Sequence, residues 1–180
     1  MAQSGGGLPG GRKAARRRGP SICAEPILPI TPQERAERSA AAMWETDQAS
    51  KWLGMRLDHV TPGGSIMSFE VQAHHCNGHL ICHGGYIFTL ADSAFAFACN
   101  SYNQVTLAHQ NAITFCAPGR QGDRLTATAV EMVRQGRSGV YDVTVTNQDG
   151  TVIAVMRGNS RTIKGQNFQE DLETKEETDG

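Results

Sequence analysis

His83-Gly84-Gly85-Tyr86-Ile87-Phe88-Thr89-Leu90-Ala91-Asp92-Ser93-Ala94-Phe95-Ala96-Phe97-Ala98-Cys99-Asn100 is the stretch on which the fold turns. It holds no proline and is rich in Ala, Leu and Phe, so it predicts one long helix from Gly84 to about Asn100. Between Ile87 and Ala98 nearly every residue is apolar, which leaves no wide face for solvent. Such a helix has to be enclosed, and the flanking sequence supplies the enclosure. Downstream, extended segments are predicted at about 105–116, 123–133, 138–147 and 151–163, cut by Pro118-Gly119, by Gly136 and by Asn147-Gln148-Asp149-Gly150. Tyr141, Val143 and Val145 alternate with Asp142, Thr144 and Thr146, whereas Val152 to Met156 is apolar throughout and suits an inner strand.

Upstream, Thr31-Pro32-Gln33-Glu34 has the residue order of a reciprocally capped helix start, and the helix is predicted to run to about Ser50. Two extended segments, 53–61 and 65–72, follow as a hairpin across Pro62-Gly63-Gly64, and 73–82 reads as a polar loop. The order helix, two strands, long helix, four strands implies an α+β fold. Its curled antiparallel sheet wraps the central helix, with an additional helix at the N-terminal side.

With 180 residues, 39% hydrophobic and 19% charged, the chain fits one domain, expected over 31–164. Residues 1–30 carry glycines, prolines and the basic cluster Arg12, Lys13, Arg16, Arg17 and Arg18, and are expected to be a disordered tail without assigned function. Residues 165–180 read as an acidic tail. A net charge of -1 and a pI near 6.6 give no global field for nucleic acid or anionic membrane. There is no run of 18 apolar residues and no apolar segment behind the N-terminal charges, so a cytoplasmic protein is expected. The five cysteines, Cys23, Cys76, Cys82, Cys99 and Cys116, lie mostly in apolar segments and are expected to be reduced thiols without disulfides.

Asp92 interrupts the apolar helix. An ionised carboxylate there costs several kcal/mol unless partnered, so it marks either a satisfied or seam position or a catalytic group. The helix opens at His83-Gly84-Gly85, where the first amides are unpaired and the dipole is positive. Glycine at that point lets a carbonyl oxygen approach the amides, as stabilising an acyl-transfer oxyanion requires; a plain tight turn has the same sequence. Gly84 and Asp92 are eight residues apart, roughly 12 Å along a helix, too far for one carbonyl to touch both. If both act, Asp92 of one subunit serves a carbonyl held by the glycine turn of another, and a two-fold axis makes two such sites.

Asn77-Gly78-His79, Cys82-His83-Gly84-Gly85, Phe88-Thr89-Leu90-Ala91-Asp92 and Ala94-Phe95-Ala96 resemble the hallmark stretch of the PaaI hydroxyphenylacetyl-CoA thioesterases of the hotdog superfamily. Ala98-Cys99-Asn100-Ser101, Pro118-Gly119, Gly122 to Ala129 and Gly139-Val140-Tyr141-Asp142 extend the resemblance to about residues 33–164. It implies a hotdog fold, a homotetramer of two dimers, and hydrolysis of aryl-acetyl-CoA thioesters in phenylacetate catabolism. No metal or redox cofactor is implied, coenzyme A being part of the substrate. By matching positions Asp92 is the catalytic carboxylate, as base or nucleophile, and Gly84 supplies the polarising amide. Asn77 and His83 match supporting positions, and Gly85, Phe88 and Phe95 are the candidate substrate contacts.

Other readings make their own demands. The loop from His74 to His83 is dense in soft ligands, but a structural zinc site needs a second ligand pair, and only the isolated His109 and Cys116 are on offer. A hotdog hydratase or dehydratase needs a histidine working beside a carboxylate, and lacks support from the motif. A non-catalytic acyl-CoA-binding protein would not need Asp92. Arg120, Arg124, Arg134, Arg137, Arg157 and Lys164 are the candidate grips for the phosphates of coenzyme A. Phe69, Tyr86 and Phe115 join Phe88 and Phe95 as aromatic residues that either line an acyl pocket or fill the core.

Overall fold

The computed structural model describes residues 1–2 and 29–170, so the basic cluster and the last ten residues of the acidic tail lie outside the described residues. Helix α1, Pro32–Thr46, begins with the capping box: Thr31 Oγ1 accepts the Glu34 N–H at 3.1 Å and Glu34 Oε2 accepts the Thr31 N–H at 2.8 Å. It stops short of Ser50 because Asp47 leaves the helical conformation and caps a second helix, α2, Gln48–Trp52, by accepting the Ser50 N–H at 3.0 Å. A short acidic side chain competes with the helix for backbone donors, so it starts a new helix more readily than it continues one.

Strands β1, Arg56–Thr61, and β2, Gly64–Glu70, form the hairpin across Pro62-Gly63, with Gly63 at φ +74°. The central helix α3 spans Gly84–Asn100. Strands β3, Thr106–Phe115, β4, Arg124–Gln135, β5, Ser138–Thr146, and β6, Val152–Thr162, complete one antiparallel sheet in the order β1-β2-β4-β5-β6-β3. The apolar β6 is an inner strand, and β1 and β3 are the edges.

The sheet curls around α3, burying Leu90, Ala91, Ala94, Phe95 and Ala98 completely. Full burial of each large side chain contributes roughly 1.5–3 kcal/mol, which makes this helix the core of the domain. Phe95 packs on Tyr141 at 5.4 Å between ring centroids and directly over Gly158, where a Cβ would lie 2.9 Å from the ring. Tyr141 donates its hydroxyl hydrogen to Glu131 Oε2 at 2.7 Å, so its burial leaves no polar atom stranded. Side chains at its C-terminal end fix α3 in the sheet. Ser101 Oγ accepts the Gly63 N–H at 2.7 Å, and Asn100 accepts the N–H of Thr106 at 2.9 Å while donating to its carbonyl at 2.8 Å. That clamp turns the chain from α3 into β3.

Residues 165–170 are docked against the domain, unlike the free tail expected from position 165. Asn167 Nδ2 donates to Ser39 Oγ at 2.8 Å, Arg38 lies over the Phe168 ring at 4.4 Å, and Arg35 Nε donates to the Glu170 carboxylate at 2.9 Å. Composition shows too few apolar residues for periodicity there; the partners on α1 are what hold the segment.

Candidate functional site

Asp92 sits half-buried on the side of α3 that faces the edge strand β3. Its Oδ1 accepts a hydrogen bond from Asn111 Nδ2 at 2.5 Å. Burial raises the carboxyl above the usual carboxylate range, and the Asn111 hydrogen bond opposes that shift by favouring the ionised form. The other end of the carboxamide, Asn111 Oδ1, is buried and receives no hydrogen bond among the described residues. A buried acceptor without a donor costs about 1–3 kcal/mol, so this position calls for a donor from water or from a bound molecule.

Sequence reading passes over Asn111, and the reason is a bulge. On β3, Ala108 pairs with Ser160, Gln110 with Asn159 and Asn111 with Gly158, leaving His109 as the extra residue. Gly158 lies under the ring of Phe95, so its partner Asn111 shares the face that looks at α3. Without the inserted residue the period-two alternation would carry Gln110 inward and Asn111 outward.

At the start of α3, His83 is the N-cap, and its Nδ1 accepts the Gly85 N–H at 2.9 Å. The ring nitrogen in that role carries no hydrogen, so the proton of the neutral imidazole is on Nε2. This corrects the expectation of a pair of open amides: the Gly85 N–H is already used, and the Tyr86 N–H donates to the His83 carbonyl at 3.0 Å. The Gly84 N–H donates to no acceptor among the described residues. The Phe115 ring rests over Gly84, where a Cβ would meet Cζ at 3.0 Å.

Asn77 lies in the turn that leads to this cap. Its Oδ1 accepts the His79 N–H at 2.9 Å and its own N–H donates to Ile81 O at 2.9 Å. The oxygen of the carboxamide is thus occupied by the turn, and the amide nitrogen is the part available to a ligand.

Phe88 is half-buried one turn before Asp92 and points along the same side of the helix. Phe95 is not part of the site: it is fully buried against Tyr141 and Gly158, and a core aromatic ring with no free face cannot contact substrate. Phe69 is likewise core, whereas Tyr86 is half-buried against His75 and Phe115 is half exposed.

Several of the candidate cations are committed elsewhere. Arg157 makes two 2.7 Å contacts to Asp142, Arg134 lies 3.9 Å over the Tyr102 ring, Arg124 reaches Asp58, and Arg137 donates to Thr162 O. Arg120 makes no ion pair among the described residues, and its backbone bridges Ile81, two residues before His83. Among the described residues no three His, Cys, Asp or Glu side chains converge as a metal cage would require.

A groove of about 550 Å³ lies between α1 and β1 and contains none of the candidate site residues. A smaller one of about 460 Å³, lined by Leu53, His74, Cys76, His83, Gly85, Tyr86 and Thr89, adjoins the glycine turn but does not include Asp92. The carboxylate and the glycine turn are separate within one chain, as the helix spacing requires.

Comparison with known proteins identifies the family. The Thioesterase superfamily, as a sequence family, matches residues 78–154. The acyl-coenzyme A thioesterase PaaI of Escherichia coli (strain K12) is 41% identical over 131 residues, covering 73% of this chain and 94% of that protein. The chain belongs to the PaaI thioesterase family.

The solved structure of the E. coli PaaI protein from the phenylacetic acid degradation operon superposes on this PaaI-family chain with a TM-score of 0.74 at 40% identity. It covers 76% of this chain and 99% of that one. A Streptococcus mutans protein solved with acetyl-CoA bound, 27% identical, superposes at 0.60 and covers 62% of this chain and 90% of its own. The superfamily match begins at Gly78 and takes in Gly84, Asp92 and Asn111 of this thioesterase, while Asn77 falls one residue outside it.

Proposed function

We propose that this thioesterase hydrolyses aryl-acetyl-CoA thioesters, phenylacetyl-CoA and its ring-hydroxylated forms, to the free acid and coenzyme A. Each active site is built from two subunits of a cytoplasmic homotetramer. The catalytic unit runs from 31 to about 170, the docked segment 165–170 included.

The observation that carries this reading is a half-buried carboxylate gripped by Asn111 at the open edge of the sheet, eight residues from the unused Gly84 amide. With Asn111 holding Oδ1, the second oxygen of Asp92 is left to take a proton from water, and Asn111 Oδ1 is a second acceptor beside it. Water so held attacks the thioester carbonyl carbon as its proton passes to Asp92. The carbonyl oxygen becomes an oxyanion facing the partner's glycine turn, stabilised by the amide at position 84 and the positive end of α3. Collapse breaks the C–S bond, and the departing thiolate recovers the proton from Asp92. A thiolate leaves readily, so one carboxylate suffices for both transfers. These steps draw on side chains, backbone and water alone. The Asn77 carboxamide nitrogen and Phe88 orient the acyl end, and Arg120 is placed to meet the nucleotide end of coenzyme A.

Subunit mixing tests the shared site. Asp92→Ala and Gly84→Val chains are each inactive, the valine Cβ filling the approach to the amide. Co-refolded in equal amounts, they recover about a quarter of wild-type activity, because half the dimers carry one intact site of two. Absence of any recovery in confirmed hetero-oligomers would refute the shared site.

A further inference from the structure

Cys76 and Cys82 flank the turn that carries Asn77 and feeds the His83 cap. They face each other as an antiparallel bridge. The hydrogen bonds around them run between their neighbours, Asn77 N–H to Ile81 O at 2.9 Å and His83 N–H to His75 O at 2.8 Å. The cysteines are therefore a non-hydrogen-bonded pair, the class whose opposed Cα atoms come to about 4.5 Å with both side chains on one face. Disulfides span Cα separations of about 4.4–6.8 Å, so joining this pair asks for side-chain rotation and no movement of backbone. Each sulfur now points at a carbonyl oxygen, Cys76 at Gln72 and Cys82 at His83, both at 3.8 Å. A thiol is a weak donor, and neither contact holds its rotamer firmly.

We infer that Cys76 and Cys82 form a modification site, closing into a reversible intrachain disulfide when the protein meets a low-molecular-weight disulfide such as oxidised glutathione. Cys76 is the more reachable of the two, and Cys82 is buried. Burial, with Cys76 as a further contributor, pushes the Cys82 thiol up to about 12, so Cys76 attacks first and Cys82 resolves. In the first step the Cys76 thiolate bonds to one sulfur of the small disulfide and the other sulfur leaves as thiolate. In the second, Cys82 loses its proton to solvent, bonds to Cys76 Sγ and expels the second thiolate. Two protein thiols are oxidised to one disulfide, and one small disulfide is reduced to two thiols. The ring so closed encloses Asn77 to Ile81 and stiffens the turn beside the glycine end of α3. Its formation is independent of the hydrolytic reading.

The test treats the reduced full-length chain with oxidised glutathione, quenches in acid and maps the digest by mass spectrometry. The expected product is a peptide linked through Cys76 and Cys82, lighter by two hydrogens and restored by dithiothreitol. It is absent from Cys76→Ser and unchanged in Cys116→Ser. Amide hydrogen exchange across residues 76–83 slows in the oxidised protein. Glutathione adducts on Cys76 without the internal bond, or linkage through Cys99 or Cys116 in its place, would overturn the proposal. Mapping is done on the unaltered chain, so a serine variant that fails to fold leaves the test standing.

Discussion

The two edges of the sheet are finished differently. At the β1 edge, Gln33 of α1 donates to the Val60 carbonyl at 2.9 Å, and Asp58 sits between Arg56 at 3.7 Å and Arg124 at 3.6 Å. A covering helix and a band of charge are the usual means by which a sheet edge is protected from pairing with another chain. At the β3 edge no described element covers the strand, and Leu107 and Phe115 are 53% and 50% exposed. The half-buried Asp92 and its Asn111 partner lie just behind that open edge. An uncovered edge with exposed Leu107 and Phe115, and with the proposed catalytic carboxylate behind it, is where the proposed shared site would seat a second copy of the chain. The finished β1 edge is the internal control for that claim.

The largest expected effect is at the β3 side. Asp92→Ala lowers hydrolysis of phenylacetyl-CoA by at least about 100-fold, the scale of losing a base, while size-exclusion chromatography shows the oligomer intact. Near-normal turnover would refute the role of Asp92. Next in size, Leu107→Asp places a charge on the open edge. It is expected to dissociate the assembly in sedimentation and to take hydrolysis with it; an assembled, active variant would show that β3 is not the interface.

A smaller effect sharpens the chemistry. Hydrolysis needs Asp92 ionised, so activity falls as pH drops through its pKa, which burial places above the usual carboxylate range. Asn111→Ala removes the hydrogen bond that favours the ionised form, so the acid limb of kcat/KM moves to higher pH, and a limb that stays or moves down contradicts the assignment. The smallest effect is on the finished edge. Asp58→Ala breaks two long, partly exposed ion pairs and is expected to cost less than about 1 kcal/mol in denaturant unfolding, with assembly and hydrolysis unchanged.

Local chemistry made much of this legible beforehand. The capping box at Thr31, the glycine-bearing turn at 62–64, and the bounds of α3 follow from residues that dictate backbone conformation within a few positions. The apolar run from Ile87 to Ala98 forces a wrapped helix, and the inner place of β6 follows from the apolar run Val152 to Met156 in its first half. The misjudged positions depend on distant partners. Asp47 caps α2 where continuation to Ser50 was expected, and residues 165–170 dock through Ser39, Arg35 and Arg38. Phe88 and Phe95 look alike in sequence, yet only Phe95 meets Tyr141 and Gly158 and disappears into the core.

By itself, the sequence determined the enclosed helix, the carboxylate set within it and the glycine pair at its mouth, because helix pitch and hydrophobic burial act on residues close in the chain. Only the tertiary structure decided that the extra residue at His109 turns Asn111 toward Asp92, that His83 takes up the Gly85 amide and leaves that of Gly84, and that β3 is the bare edge. Those outcomes depend on strand register and on which side chains meet across the fold, and neither is written in the spacing of residues along one segment.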